Sequence, residues 1–134
     1  MTTTMPMLET YPQTINLDRA KLAGAIDALI ACSEACTACA DACLSEGMVA
    51  ELTKCIRTNM DCADICATTA RVLSRHTGYD ANISHTLLEA CVMACRSCGD
   101  ECSSHAQTHE HCRICATACR EAESAARGLL DTMR

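Results

Sequence analysis

Residues 32–43 read CSEACTACADAC and residues 91–102 read CVMACRSCGDEC, so the same spacing of cysteines occurs twice in the chain. Both segments follow the pattern C-x3-C-x2-C-x3-C, and they begin 59 residues apart. Steps of three and four residues keep side chains on one face of an α-helix. The repeat therefore predicts two related helices, each with a line of cysteines along the face that packs into the core.

A shorter set of cysteines follows each of these segments, again at helical spacing. The two sets are Cys55, Cys62 and Cys66, then Cys112, Cys115 and Cys119. Aliphatic residues continue each line of cysteines toward the N-terminus of its helix. They are Leu22, Ile26 and Leu29 before the first repeated segment, and Ile83 and Leu87 or Leu88 before the second. The chain therefore reads as two helical hairpins of related design, with the cysteines in the core.

Four long helices are predicted after the two prolines, Pro6 and Pro12, because alanine, glutamate, leucine and arginine dominate the composition there. The helices begin at Asn16 or Asp18, Val49, Asn82 or Ser84, and Thr108, and end near Glu46, His76, Ser104 and Thr132. Long helices with short connections predict an all-α fold, an antiparallel up-down-up-down four-helix bundle. Residues 1–16 are predicted to form a flexible N-terminal segment, and residues 17–134 the bundle domain.

Alternating helix direction determines where the cysteines meet. The cysteines lie in the C-terminal halves of the first and third helices and in the N-terminal halves of the second and fourth. All fourteen are therefore expected at one end of the bundle, as a thiol-lined channel, and leucine, isoleucine and methionine close the other end. The connections at the thiol end contain Met48, His105 and His109, and His111 follows shortly after.

Composition excludes several classes of function. The 134 residues suffice for one domain, and a net charge of −6 without a basic patch argues against nucleic acid. No apolar run approaches the roughly 20 residues of a membrane span, and the N-terminus has no export signal. We therefore expect a cytoplasmic protein with reduced thiols and no membrane partner. Without a Ser/His/Asp arrangement or a phosphate loop, no enzyme is predicted.

The chemistry that suits so many buried thiols is the binding of a soft metal ion. Iron–sulfur ligation normally uses loop spacings that this chain lacks. A zinc tetrathiolate carries a charge of −2, which is costly in a narrow apolar channel. Cu(I) that replaces one thiol proton leaves the core neutral, and on the order of ten or more ions then fit if each thiolate pairs with about one. A zinc-binding module and an iron–sulfur or thiol redox protein remain the alternatives.

With its doubled cysteine pattern and histidine-bearing mouth, the chain resembles the cytosolic four-helix-bundle copper storage proteins (Csp) from about Leu17 to Met133. The resemblance implies many Cu(I) ions in each bundle, entry at the histidine end and a homotetramer. A copper chaperone or a small-molecule thiol is expected as the copper donor. The resemblance also implies that the metal-site residues are Cys32, Cys36, Cys39, Cys43, Cys55, Cys62, Cys66, Cys91, Cys95, Cys98, Cys102, Cys112, Cys115, Cys119, Asn59, Met48, Asp61, His105, His109 and His111.

Overall fold

The computed structural model describes residues 2–133 and contains five helices and one short 3-10 turn, Val49–Glu51. The helices are α1 (Thr4–Glu9), α2 (Arg19–Leu44), α3 (Thr53–Leu73), α4 (Ala81–Ser103) and α5 (Glu110–Asp131). No strand occurs within residues 2–133. The all-α fold predicted from the cysteine spacing is confirmed.

The four long helices form a closed ring. Helix α2 packs against α3 and α5, and α4 packs against the same two helices. Each connection between consecutive long helices is too short to cross the length of the bundle, so neighbours along the chain run antiparallel. The up-down-up-down arrangement is thus the one predicted, with the core between the four helices.

Aspartates begin two of the long helices. The Asp18 carboxylate accepts a hydrogen bond of 2.9 Å from the backbone N–H of Lys21, and Asp80 accepts one of 2.9 Å from that of Asn82. These caps satisfy N–H groups that have no partner within the helix. Gly78, at φ 65°, adopts the left-handed conformation in the turn before α4, where a side chain would be strained.

The second predicted helix differs most from the structure. It was expected to run from Val49 to His76, but the chain forms a 3-10 turn, breaks at Leu52 and continues as α3. Leu52 is buried, so the break turns an aliphatic side chain into the core. The buried line of α4 continues through Leu88 and Ser84, and not through Ile83, which is 54% exposed. Ser84 lies seven residues, or about two helical turns, before Cys91, so both side chains are on the same face of the helix.

The core has two chemically distinct halves. Cysteines fill the half beside the connections at residues 45–52 and 104–109, and all fourteen are free and buried. The other half, which we call the aliphatic plug, contains fully buried leucines: Leu22, Leu29, Leu88 and Leu129, with Leu73 almost fully buried. The cysteine-lined core at one end of the bundle is therefore confirmed.

The N-terminal segment packs onto the aliphatic end. Leu8 of α1 is buried, the Thr4 hydroxyl donates a hydrogen bond of 2.6 Å to Asp27, and the Tyr11 hydroxyl lies 3.0 Å from that of Thr77. Pro6 lies in the first turn of α1, where the missing N–H has no cost. The sequence analysis assigned no secondary structure to this segment. Its flexibility and the division of the chain near residue 17 stay predictions.

Helix α2 has the length and composition of a membrane-spanning segment. It contains 26 residues, with a mean hydropathy of 1.4 in its most apolar stretch. The sequence analysis missed this property because Arg19, Lys21 and the acidic residues interrupt the apolar run. The face that carries its leucines and cysteines is buried against α3 and α5, as in the core helix of a bundle.

Candidate metal centre

Sulfur atoms from all four long helices are in contact. The Sγ–Sγ distance is 3.8 Å between Cys32 and Cys119, which joins α2 to α5, and 3.5 Å between Cys66 and Cys95, which joins α3 to α4. Cys36 lies 3.7 Å from Cys98, across the ring from α2 to α4. The thiols therefore form one connected cluster along the axis of the bundle.

Groups of these thiols have the separation that a single metal ion requires. Within each group the donor atoms lie no more than 4.8 Å apart. The groups include Cys32/Cys62/Cys66/Cys95, Cys32/Cys36/Cys62/Cys119, Cys36/Cys98/Cys115/Cys119, Cys39/Cys102/Cys115 and Cys39/Cys43/Cys112/His111. Several cysteines belong to two groups, so one thiolate is positioned to bridge two ions.

Asn59 places an amide among the sulfur atoms. Its side chain is fully buried, and its Oδ1 accepts hydrogen bonds from the thiols of Cys98 at 3.0 Å and Cys115 at 3.1 Å. Its Nδ2 donates to Cys55 at 3.6 Å. Asn59 lies four residues after Cys55 and three before Cys62, so it continues the buried line of α3, and the family resemblance implies it as a site residue. The amide oxygen points into the cluster.

One of the three histidines at the thiol end reaches sulfur. His111 Nδ1 lies 3.3 Å from Cys39 Sγ and 3.6 Å from Cys112 Sγ. Its Nε2 lies 2.8 Å from the carboxylate of Glu46, which also lies 3.2 Å from His109 Nδ1. The two imidazole rings are stacked, with centroids 5.5 Å apart. His111 and His109 thus lie with Glu46 at the end of the thiol cluster beside the connections, which we call the mouth.

The chain matches a known protein family over most of its length. The model of the copper storage protein family (Csp) matches residues 18–131, which is most of the chain and all of its long helices. The chain belongs to the copper storage protein family. Membership of this family explains why so many thiols are buried together in the core.

Solved and curated relatives extend the comparison. The structure of the copper storage protein Ccsp from Streptomyces lividans, loaded with 10 copper equivalents, superposes with a TM-score of 0.96 at 57% identity, over 97% of this chain and 99% of that one. A structure of a cytosolic copper storage protein from Streptomyces lividans with five coppers gives 0.83 at 61% identity, over 84% and 93%. The uncharacterized cysteine-rich protein YhjQ of Bacillus subtilis is 37% identical over 93 residues, 69% of this chain and 81% of that protein.

Two of the remaining predicted site residues of this copper storage protein, Met48 and Asp61, face away from the sulfur cluster. Met48 is 48% exposed, and Asp61 forms an ion pair of 3.0 Å with Arg57 on the outer surface of α3. Asp61 directly precedes Cys62, so it lies about 100° around the helix from the buried line. His105 Nε2 lies 3.0 Å from the Glu101 carboxylate.

Glu46 is the residue at the mouth that the sequence analysis missed. It was assigned only as the end of the first helix, but its carboxylate contacts two histidines. The hydrogen bond from His111 holds the pKa of Glu46 below its ordinary value, so the carboxylate is charged at neutral pH. The available signal was an acidic residue in one of the two connections at the thiol end, opposite a connection that holds histidines.

Burial controls the protonation of the thiols near the mouth. Burial first, and then the nearby thiols of Cys55 and Cys43, raise the pKa of Cys112 to about 12. Burial also raises the pKa of Cys43. Deeper in the channel, hydrogen bonds from Cys66 and Cys95 lower the pKa of Cys91 to about 5. The Cys43 and Cys112 thiols thus favour the protonated form, whereas the Cys91 thiol favours the thiolate.

Proposed function

We propose that this protein stores and buffers Cu(I) in the cytoplasm, with many ions held together in the thiol channel. One observation carries the proposal: the sulfur atoms of all four helices form overlapping groups of metal-binding size along one axis. The copper-loaded relative from Streptomyces lividans supports the identity of the metal, and its cytosolic counterpart supports the compartment.

Charge favours Cu(I) as the ion of the deep channel. Thiolates are soft ligands that select Cu(I) over hard cations. A monovalent ion that replaces one thiol proton leaves the net charge of the core unchanged, however many ions enter. A zinc tetrathiolate adds a charge of −2, and burying several such charges together is costly. Shared cysteines such as Cys36 and Cys119 favour bridged copper–thiolate clusters.

We assign ligand roles to the fourteen cysteines and to the amide oxygen of Asn59. His111, with His109 and Glu46 beside it, forms the entrance, and His105 flanks it. Met48 and Asp61 remain outside the proposed ligand set because one is half exposed and the other is paired with Arg57. The protein binds and releases its cargo without catalysing a reaction.

The proposed partners are a copper donor and further copies of the chain. A copper chaperone or a small-molecule thiol would deliver Cu(I) at the mouth. Leu44 of α2 and Met60 of α3 are exposed and line one groove between these two helices, an apolar surface that suits the homotetramer implied by family resemblance. Light scattering of the purified protein tests the assembly.

Metal analysis tests copper storage against its alternatives. Protein purified anaerobically from copper-supplemented cells is expected to contain several copper ions per chain and to be colourless. Zinc as the main metal at one or two ions per chain would favour a zinc-binding module. Iron with a visible chromophore would favour an iron–sulfur protein. Either result would replace the storage function.

Proton release during loading is the second expected result. The mouth thiols keep their protons at pH 7 because their pKa values are raised, so Cu(I) must displace those protons. We expect more than half a proton released per copper ion on average, and tighter binding as the pH rises. Titration in weak buffer with a pH indicator measures the ratio. A ratio near zero would mean that the thiols are already ionised.

Histidine substitution separates entry from storage. Replacing His105, His109 and His111 together by alanine is expected to slow Cu(I) uptake and to change the final copper count by at most about one ion, because only His111 reaches sulfur. His85→Ala is the matched control, since His85 lies at the opposite end, paired with Glu89. Stopped-flow loading followed by a count checks both quantities. Loss of most of the capacity would make the histidines principal ligands.

A further inference from the structure

The group of donors at the mouth contains a nitrogen atom, unlike the four other groups named above. Cys39, Cys43, Cys112 and His111 offer three sulfur atoms and one imidazole nitrogen, all within 4.8 Å of one another. We propose that these four residues bind one Zn(II) ion when copper is scarce, and that this ion closes the channel until copper displaces it. The consequence for copper entry rests on the proposed storage function, whereas the zinc site itself does not.

The donor distances match a tetrahedral zinc site. Zn–S bonds of about 2.3 Å and Zn–N bonds of about 2.0–2.1 Å place sulfur atoms about 3.8 Å apart and sulfur about 3.6 Å from nitrogen. Cys39 Sγ lies 3.8 Å from Cys112 Sγ, and His111 Nδ1 lies 3.3 Å and 3.6 Å from them. Three cysteines and one histidine are a common ligand set of structural zinc sites.

Glu46 supplies the outer partner that zinc-binding histidines usually have. Its carboxylate lies 2.8 Å from His111 Nε2 and accepts a hydrogen bond, so the imidazole carries its N–H at Nε2. The unprotonated Nδ1 then faces the sulfur atoms of Cys39 and Cys112. A carboxylate that orients a histidine in this way fixes its tautomer and strengthens it as a ligand. The imidazole is therefore preorganised to bind a metal.

Charge restricts the zinc ion to the mouth. Three thiolates and a neutral imidazole leave a net charge of −1 on a Zn(II) complex, against −2 for the four-thiol groups deeper inside. The His111 side chain is 26% exposed, so solvent reduces the cost of that charge. The deep groups have no such access because their cysteines are fully buried. We therefore expect one tightly bound zinc ion per chain.

The position of the ion would couple zinc to copper uptake. Ions that enter at the mouth must pass Cys39, Cys43 and Cys112, which the zinc ion would occupy. Cu(I) prefers thiolates more strongly than zinc does, so loading would release the zinc ion rather than trap it. Zinc-filled protein would take up copper more slowly than metal-free protein and reach the same final count.

Zinc titration of the reduced, metal-free protein tests the site. We expect one Zn(II) per chain to survive competition with a chromophoric zinc chelator. Co(II), used as a probe, should show the intense visible bands of a tetrahedral site with sulfur ligands. Cys43→Ser and His111→Ala should each weaken zinc binding by at least tenfold, and Glu46→Gln by about 10–100-fold. Cys91→Ser, at the deep end of the channel, is the matched control and should not change zinc affinity.

Circular dichroism identifies variants that fail to fold, and Glu46→Gln changes no core residue, so the test does not depend on the cysteine variants alone. The proposal is overturned if the unsubstituted protein binds zinc no more tightly than the Cys43→Ser variant does. It is also overturned if Cys91→Ser weakens zinc binding as much as Cys43→Ser, or if more than one zinc ion binds tightly. Normal copper capacity with any of these results would reject the zinc site and leave the storage function intact. Loss of copper capacity with an intact zinc site would reject storage instead.

Discussion

Loading with copper is expected to raise the midpoint of thermal unfolding above about 90 °C, the range of hyperstable proteins. The ligands of each proposed ion come from different helices, as in the group of Cys32 from α2, Cys66 from α3 and Cys95 from α4. A ligand that binds only the folded state at a thousand times its Kd adds about 4 kcal/mol of stability. Three or four such ions would add about as much as the 5–15 kcal/mol of a typical domain.

Thermal scans followed by far-ultraviolet circular dichroism, with and without copper, measure this effect. Helicity at 25 °C should be the same in both samples, because the aliphatic plug holds α2–α5 together and needs no metal. Removing the copper with a strong chelator is the control and should restore the lower midpoint. A loaded protein that melts within a few degrees of the metal-free one would show that copper does not bridge the helices.

Leu29→Ala is expected to lower the free energy of unfolding of the metal-free protein by about 2–5 kcal/mol. Leu29 is fully buried in the aliphatic plug, and its removal leaves a cavity between helices that contain no large aromatic residue to fill it. The final copper count should not change, because Leu29 precedes Cys32 by about one helical turn and carries no ligand atom. Urea unfolding followed by a copper count measures both.

Ile30→Ala is the matched control for this substitution. Ile30 is the next residue of α2 and is 53% exposed, so its replacement should change the free energy of unfolding by no more than about 0.5 kcal/mol. Equal effects at the two positions would contradict the orientation of α2. A large loss of copper from Leu29→Ala in folded protein would contradict the separation of plug and channel.

The position of every cysteine was predictable because helical periodicity and alternating helix direction are strong constraints. The repeat at residues 32–43 and 91–102 defines one face on each of two helices, and short connections leave one topology that gathers the cysteines at one end. Asn59 followed from the same periodicity. These predictions depend on regular geometry over many residues, which averages out errors at the ends of helices.

The features that the sequence analysis missed depend on single contacts. The break at Leu52 and the packing of α1 around Leu8 are decided by which aliphatic side chain finds a cavity in the core. Glu46 was not recognised because its role depends on contacts with His109 and His111, which are far from it in the sequence. Asp61 was placed near the metal by resemblance, but one residue of helical rotation directs it outward to Arg57.

Anaerobic titration with Cu(I) against a chromophoric chelator, counted per chain, tests the central claim that the thiols act as one copper store. We expect an endpoint on the order of ten or more ions, if each thiolate pairs with about one ion. Replacing Cys91, Cys95, Cys98 and Cys102 together by serine should lower that endpoint by about four ions if the protein remains helical. An endpoint of one or two ions, or one that the four substitutions leave unchanged, would contradict storage in the channel.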